Sequence, residues 1–252
     1  MDSLTLWMTL GMDGEKNTIA ALAFYYVQCR GQVFLMFLSC SGFDFRYNDH
    51  LFHYGYVLYA SAVLGKLNAT FIEELGGAVD AIMLDVANPV NADSQQLPDG
   101  SSIQGLFPFT RHKSWFDSHS FASGLFPFAD GKSMESSGES INFYYGAYLW
   151  TMVSTATDKH KSNDDVDFAR LLLAMEMRGV KTYWHMVTPD AETDTYHALD
   201  IYNPLFAKNL MVGNVGMMDV TVATWFGIEP LYVHMINFLP VTAITSELFD
   251  KR

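Results

Sequence analysis

The chain has 252 residues, with 15 basic against 28 acidic side chains and a formal net charge of −13 at neutral pH. Such a surface repels phosphates and anionic headgroups, so no nucleic acid partner and no membrane insertion are expected. Half of the residues are hydrophobic and 15% are aromatic, which allows a sizeable core and favours an uncharged ligand over a charged one.

Residues 1–41 form a divergent N-terminal segment. Met1-Asp-Ser-Leu-Thr-Leu-Trp7 lacks the basic region and cleavage site of a signal peptide. Thr18 to Gln28 reads as a short helix, and Gln32 to Leu38 as a buried strand or part of a helix. The two cysteines, Cys29 and Cys40, match neither zinc-finger spacing nor a disulfide framework; a single bond between them stays open. From Asn48 to Leu67 the pattern is helical, with Phe52, Tyr56 and Tyr59 at spacings of four and three. Thr70-Phe-Ile-Glu73 has the form of a capping box and opens a second helix to about Val86, stopped at Asn88-Pro89. Asn68-Ala-Thr70 is an N-glycosylation sequon.

Residues 91–132 have little period and many breakers, a length of irregular chain that is often functional. A third helix is expected from Glu135 to Val153. Ser162-Asn-Asp-Asp165 caps a fourth, whose apolar side carries Val166, Phe168, Leu171, Leu172 and Met175. Residues 188–226 read as loop, and Pro230 to Phe249 as one or two short helices divided near Pro240. Helices joined by long loops give an all-α fold class.

Two places can carry chemistry. In Asn48-Asp-His-Leu-Phe-His-Tyr-Gly-Tyr56, a helical backbone puts Asp49 and His53 on one face; the bland alternative is a capping Asp with two partly buried histidines. In Asp130-Gly-Lys-Ser-Met-Glu-Ser-Ser-Gly-Glu139, Glu135 and Glu139 are likewise four apart, at a helix start that tolerates carboxylates as caps. Gly138 between them loosens a helix by about 0.5–1 kcal/mol relative to Ala. Phe143, Tyr144, Tyr145, Tyr148 and Trp150 follow, and acids among aromatics suit a cleft for a neutral polar polymer. His50, His53, His112, His119 and His185 raise a metal reading, but no metal-ligand spacing such as HExxH occurs. No metal and no cofactor are expected.

These stretches resemble glycoside hydrolase family 81, the endo-β-1,3-glucanases. The first is similar to that family's NDHHFHYGY signature and the second to its DGK-x-QES-x-SE signature. Leu106-Phe-Pro-Phe-Thr-Arg111, Ser118-His-Ser-Phe-Ala-Ser-Gly124, Val220 to Gly227 and Tyr232 to Thr245 resemble further family segments in the same order. The resemblance implies that residues 42–252 are part of a catalytic domain with an (α/α)6-toroid-like helical barrel. It also implies that the barrel is incomplete here and that a missing N-terminal domain completes it, because relatives carry a β-rich domain and the first barrel helices before the Asp signature.

The activity implied is cleavage of internal β-1,3-glucosidic bonds of β-glucan with inversion, outside the cell or in the cell wall. Inversion needs one protonated and one ionised carboxyl group on opposite faces of the sugar, roughly 6.5–9.5 Å apart. Asp49 matches the general acid, Glu135 the position of the base, and Glu139 a second acid that shares or supports the base. Repulsion between the two glutamates is expected to hold one at a raised pKa. The resemblance sets His53, His119, Asp130, Lys132 and Asn142 along the cleft. Tyr54, Tyr56, Trp115, Tyr144 and Tyr145 are available to stack on sugars, while Trp150 and Trp184 read as core. Leu51 and Met134 stand where relatives have His and Gln. With the short N-terminal region, they motivate a second expectation: a glucan-binding relative without activity.

Overall fold

The computed structural model describes residues 49–89, 107–111, 113–116, 118–120, 135–157, 161–185 and 228–249. The expectations for the first 48 residues, for most of 91–132 and for 188–226 lie outside the described residues. What is described is all-α apart from one small ladder. Helix α1 is His50–Leu67 and α2 is Ala69–Ala87; strands β1 (Lys113–Ser114) and β2 (His119–Ser120) pair antiparallel; α3 is Ser137–Thr155 and α4 is Asn163–Gly179. A π-helical turn, Val180–Trp184, continues α4, and short helices α5 (Pro230–Ile236) and α6 (Thr245–Leu248) follow. The division of the C-terminal stretch near Pro240 is therefore as expected.

Three expectations need correction. The cap of α2 is Asn68, whose Oδ1 accepts from the Thr70 N–H, and not a box at Thr70. Asn reaches the free N–H groups of the first turn from just outside the helix, and Thr70 is already inside it. Helix α3 starts one residue after its cap, Ser136, so Glu135 stands outside the helix and does not share a helix face with Glu139. In α4, Leu171 is exposed; Ala169, Leu172, Leu173 and Glu176 form the buried side. The expected start of α4 holds: the Asp165 carboxylate accepts from the Ser162 N–H at 2.8 Å.

Helix α3 is the centre of the described structure. Ser137, Gly138, Ser140, Gly146, Ala147, Thr151 and Ser154 are all small and all buried. Small side chains let neighbouring helices approach closely, which is why a helix of this composition sits inside. A Cβ on Gly55 would lie 2.6 Å from the Phe143 backbone N, and one on Gly146 2.8 Å from the Tyr59 N. Further along, a Cβ on Gly65 would lie 3.2 Å from the Val153 side chain. The partners advance together along both helices, so α1 and α3 run parallel with their N-termini at one end of the packing. Leu51, Phe52, Leu58, Ile141, Phe143, Tyr144, Trp150 and Leu172 fill the core around them. Trp150 and Trp184 are buried, as their core reading requires. Tyr144 belongs to the same core, edge-on to Phe143 and under the Lys113 ammonium.

The close approach gives a direct prediction. Gly55→Ala forces the two backbones apart and destabilises the chain by about 1–3 kcal/mol, read as a lower urea midpoint. Gly77, where a Cβ meets nothing within 4 Å, is the control: Gly77→Ala leaves the midpoint unchanged or raises it.

Candidate active site

The parallel packing of α1 and α3 sets the start of α1, with Asp49, and the first turn of α3, with Glu139, at the same end of the helix pair. Asp49 is the cap position of α1 with φ 62° and ψ 3°, a left-handed conformation that L side chains rarely adopt. Its carbonyl oxygen accepts from the N–H groups of Phe52 and His53, both at 2.9 Å. Its carboxylate makes no capping hydrogen bond to the helix. The bland reading of Asp49 as an ordinary capping side chain therefore fails on geometry.

Glu139 lies in the first turn of α3 and is only 8% exposed. The Tyr56 hydroxyl donates to its Oε1 at 2.8 Å, so one residue of α1 grips the acid of α3. The Ser136 Oγ accepts from the Glu139 N–H at 3.2 Å and donates to the Ile236 carbonyl at 2.9 Å, fixing the turn that carries the acid. Burial pushes the Glu139 carboxyl up to about 7, the largest influence on it. The Tyr56 and Ser136 hydroxyls and nearby His53 pull it down, and Glu135 pushes it up less than burial does. Repulsion between the glutamates is thus present but secondary, because removal from water is the greater penalty on the charged form. Burial, then the Glu139 carboxylate, push the Tyr56 hydroxyl above its usual range.

The other expected residues divide. His53 and Glu135 are half-buried and act electrically on Glu139. Tyr54 is buried, its ring stacked on His50 with centroids 4.3 Å apart. Tyr145 is partly buried and tilted against Tyr59, and burial raises its hydroxyl pKa. Asn142 is buried, and its side-chain amide has no hydrogen-bond partner among the described residues. The His119 backbone pairs with Ser114 in the ladder; its side chain, and Asp130 and Lys132 entirely, lie outside the described residues. Trp115 is half-exposed and stacks on Phe109.

The sequence reading missed two groups of residues around the acids. One is Asn237, whose Oδ1 accepts from both the N–H and the hydroxyl of Ser137, at 2.8 and 2.7 Å. The backbone from Asn237 to Leu239 lies so close that a Cβ on Gly138 would sit 2.3 Å from the Asn237 oxygen. Gly138 is there for that approach, not to loosen the helix. The other is Asp85, which holds His50 and Arg111. Its signal was legible: an aspartate between Leu84 and Val86, in a run that is otherwise apolar, requires a buried partner. Among the described residues no three His, Cys, Asp or Glu side chains are grouped to hold a metal ion, and no helix is long and apolar enough to cross a membrane.

Residues 32–252 match the family description "Glycosyl hydrolase family 81 C-terminal domain". The chain is 31% identical over 202 residues to the primary septum glucan endo-1,3-beta-D-glucosidase of Schizosaccharomyces pombe, covering 79% of this chain and 17% of that protein. It is 32% identical over 248 residues to a glucan endo-1,3-beta-D-glucosidase of Acetivibrio thermocellus, covering 98% of this chain and 28% of that protein. A solved glycoside hydrolase family 81 structure from Clostridium thermocellum, a glutamate-to-alanine variant, superimposes with a TM-score of 0.57 at 28% identity, covering 79% of this chain and 24% of that one. The chain thus spans well under a third of the length of these relatives. With the family description matched over residues 32–252, the chain belongs to glycoside hydrolase family 81.

Proposed function

We propose that the chain carries the acid–base centre of an endo-β-1,3-glucan hydrolase acting with inversion, with Asp49 as general acid and Glu139 as general base. The observation that carries this reading is Glu139 itself: a carboxyl desolvated to a pKa of about 7 and held at one oxygen by Tyr56. A base tuned toward the working pH gives up little ionised population and gains proton affinity. It extracts a proton from water as that water attacks the anomeric carbon, while Asp49 delivers a proton to the departing glycosidic oxygen on the other face. Glu135 stands beside Glu139 and raises its proton affinity, a supporting role rather than the base itself. His53, Tyr145 and Asn142, with His119, Asp130 and Lys132, are substrate-side residues in this reading, whereas Tyr54 packs on His50 behind the acid. The aromatic residues around the acids and the acidic surface suit an uncharged β-1,3-glucan. The remainder of an (α/α)6 barrel and an N-terminal domain would complete the cleft.

Reducing-end release from laminarin-type glucan tests it. Asp49→Asn and Glu139→Gln should each lower the rate by on the order of 10²–10⁴-fold, and Glu135→Gln by less than either. Full activity in Asp49→Asn or Glu139→Gln removes that residue from the mechanism. Tyr56→Phe gives a second, independent check. The Tyr56 hydroxyl lowers the Glu139 pKa, so its removal moves the acidic limb of the kcat/KM profile to higher pH. Glu135→Gln moves that limb to lower pH, because Glu135 raises the same pKa.

A further inference from the structure

Immediately behind Asp49 lies a buried clamp that the acid–base scheme does not use. His50 and Asp85 are both nearly inaccessible, and His50 Nδ1 stands 2.5 Å from Asp85 Oδ2. The other Asp85 oxygen accepts from Arg111 Nη2 at 2.6 Å, and the Asp85 main-chain carbonyl accepts from Arg111 Nε at 2.9 Å. On the far side of the ring, His50 Nε2 is 3.2 Å from the Tyr54 hydroxyl, one helical turn along, and the Tyr54 ring stacks on the imidazole. The histidine is therefore held at both nitrogens and on one face.

The residue so fixed is joined by one peptide bond to Asp49, whose φ of 62° is strained for an aspartate. A non-glycine residue in this region costs on the order of 1 kcal/mol and persists only where its surroundings over-determine it. Two constraints do so here. The Asp49 carbonyl is held from the helix side by the N–H groups of Phe52 and His53, and the next residue is locked into α2 through Asp85. A buried hydrogen bond reaching across from α2 to the first residue of α1 is more than helix packing needs, since Leu51, Phe52 and Leu58 already bury α1.

We infer that Asp85, with Arg111 behind it and His50 in front, is a positioning residue that holds the strained Asp49 backbone in the conformation from which its carboxyl protonates the leaving oxygen. This rests on the reading of Asp49 as the general acid. The arrangement resembles other oriented acids in its logic: the group doing proton transfer is aimed by a neighbour with fixed geometry, and small misplacement is costly in rate. Asp85 touches no substrate in this scheme, so its loss lowers kcat and leaves KM nearly unchanged.

The test compares two substrates on the full chain. One is β-1,3-glucan, whose departing sugar hydroxyl needs an acid. The other is a 2,4-dinitrophenyl β-1,3-glucan oligosaccharide, whose leaving group departs without protonation. Asp49→Asn should lose activity on glucan and keep it on the dinitrophenyl substrate. Asp85→Asn should reproduce that pattern in weaker form, with kcat on glucan down at least tenfold, KM within twofold, and the dinitrophenyl rate within twofold. Asp85→Glu should recover part of the glucan rate. His50→Asn, whose amide can donate from nearly the position of Nδ1, serves as a second probe and should stay closer to the unaltered chain than His50→Ala. Equal losses on both substrates in Asp85→Asn, or no loss on either, overturn the proposal and leave the role of Asp49 standing. Should Asp85→Asn fail to fold, the same comparison between His50→Ala and His50→Asn decides it: equal losses on both substrates in His50→Ala overturn the proposal. Unchanged glucan hydrolysis in Asp49→Asn overturns the reading beneath it.

Discussion

Glu139→Gln should slow hydrolysis by on the order of 10²–10⁴-fold and, at the same time, make the chain more stable in alkaline buffer. The two effects have one cause. Burial places the folded carboxyl at about 7 against an ordinary value of 4.5. Between those values the native state binds a proton that the unfolded state has released. Stability therefore falls as pH rises through that window, and the loss is complete above the folded pKa. The shift corresponds to on the order of 3 kcal/mol once Glu139 is ionised. A glutamine keeps an oxygen to accept from the Tyr56 hydroxyl and carries no charge to desolvate. Urea unfolding at pH 5 and pH 8.5 should show the parent losing stability across the interval and the variant losing less. The crossing of the two, with the variant less active and more stable at pH 8.5, is what a proton-transfer group held at an energetic penalty requires. A parent whose stability rises between those pH values contradicts the assignment of a raised pKa.

The largest structural effect is expected at Lys113 and Glu176. Lys113 reaches from β1 to Glu176 on α4, 2.7 Å from Nζ to Oε2, with both side chains 0% exposed. The same ammonium donates to the Ser118 carbonyl at 2.9 Å and lies 4.8 Å above the Tyr144 ring. One cation thus ties the β1–β2 ladder, α4 and the central helix α3 together. Removing one partner strands the other charge out of water. Glu176→Gln or Lys113→Met alone should lower stability by about 3–5 kcal/mol, whereas replacing both with apolar residues of similar volume is often close to neutral. Thermal or urea unfolding of the two single variants and the double variant checks this. Additive losses in the double variant would show that packing, not charge, holds the ladder in place. Because α3 carries Glu139, the single variants should also lower activity, and the double variant should recover it along with stability.

The helices were legible because they obey local rules. Asn163–Gly179 shows its cap in Ser162 and Asp165, but of the apolar stripe expected from its spacing Leu172 is buried and Leu171 is exposed. The acids were legible as types in a pattern, and the family resemblance supplied their pairing. Which glutamate is the tuned one was not legible: Glu135 and Glu139 differ in sequence only by position. The difference is that Ser136 caps α3 between them, so one stays outside and half-exposed while the other is drawn into the core beside Tyr56. Asp49 illustrates the same limit. Its place before a helix reads as a cap, and only the positive φ shows that its side chain is not used as one. Gly138 reads as a weak point in a helix until the backbone of Asn237 and Leu239 is seen against it. Contacts between segments a hundred residues apart, such as Ser137 with Asn237, have no local signature. Asp85 is the intermediate case, since a charge inside an apolar run announces a partner without naming His50 or Arg111.

In the proposed inverting attack by water, Glu139 takes its proton as Asp49 gives one up. The configuration of the first product tests it most directly. Proton NMR of β-1,3-glucan hydrolysis, followed before mutarotation, reads the anomeric centre that is released. With inversion, α-configured reducing ends should appear first and equilibrate to the β form afterwards. β-Configured ends appearing first would contradict it, because retention requires a carboxylate to attack the sugar in place of water.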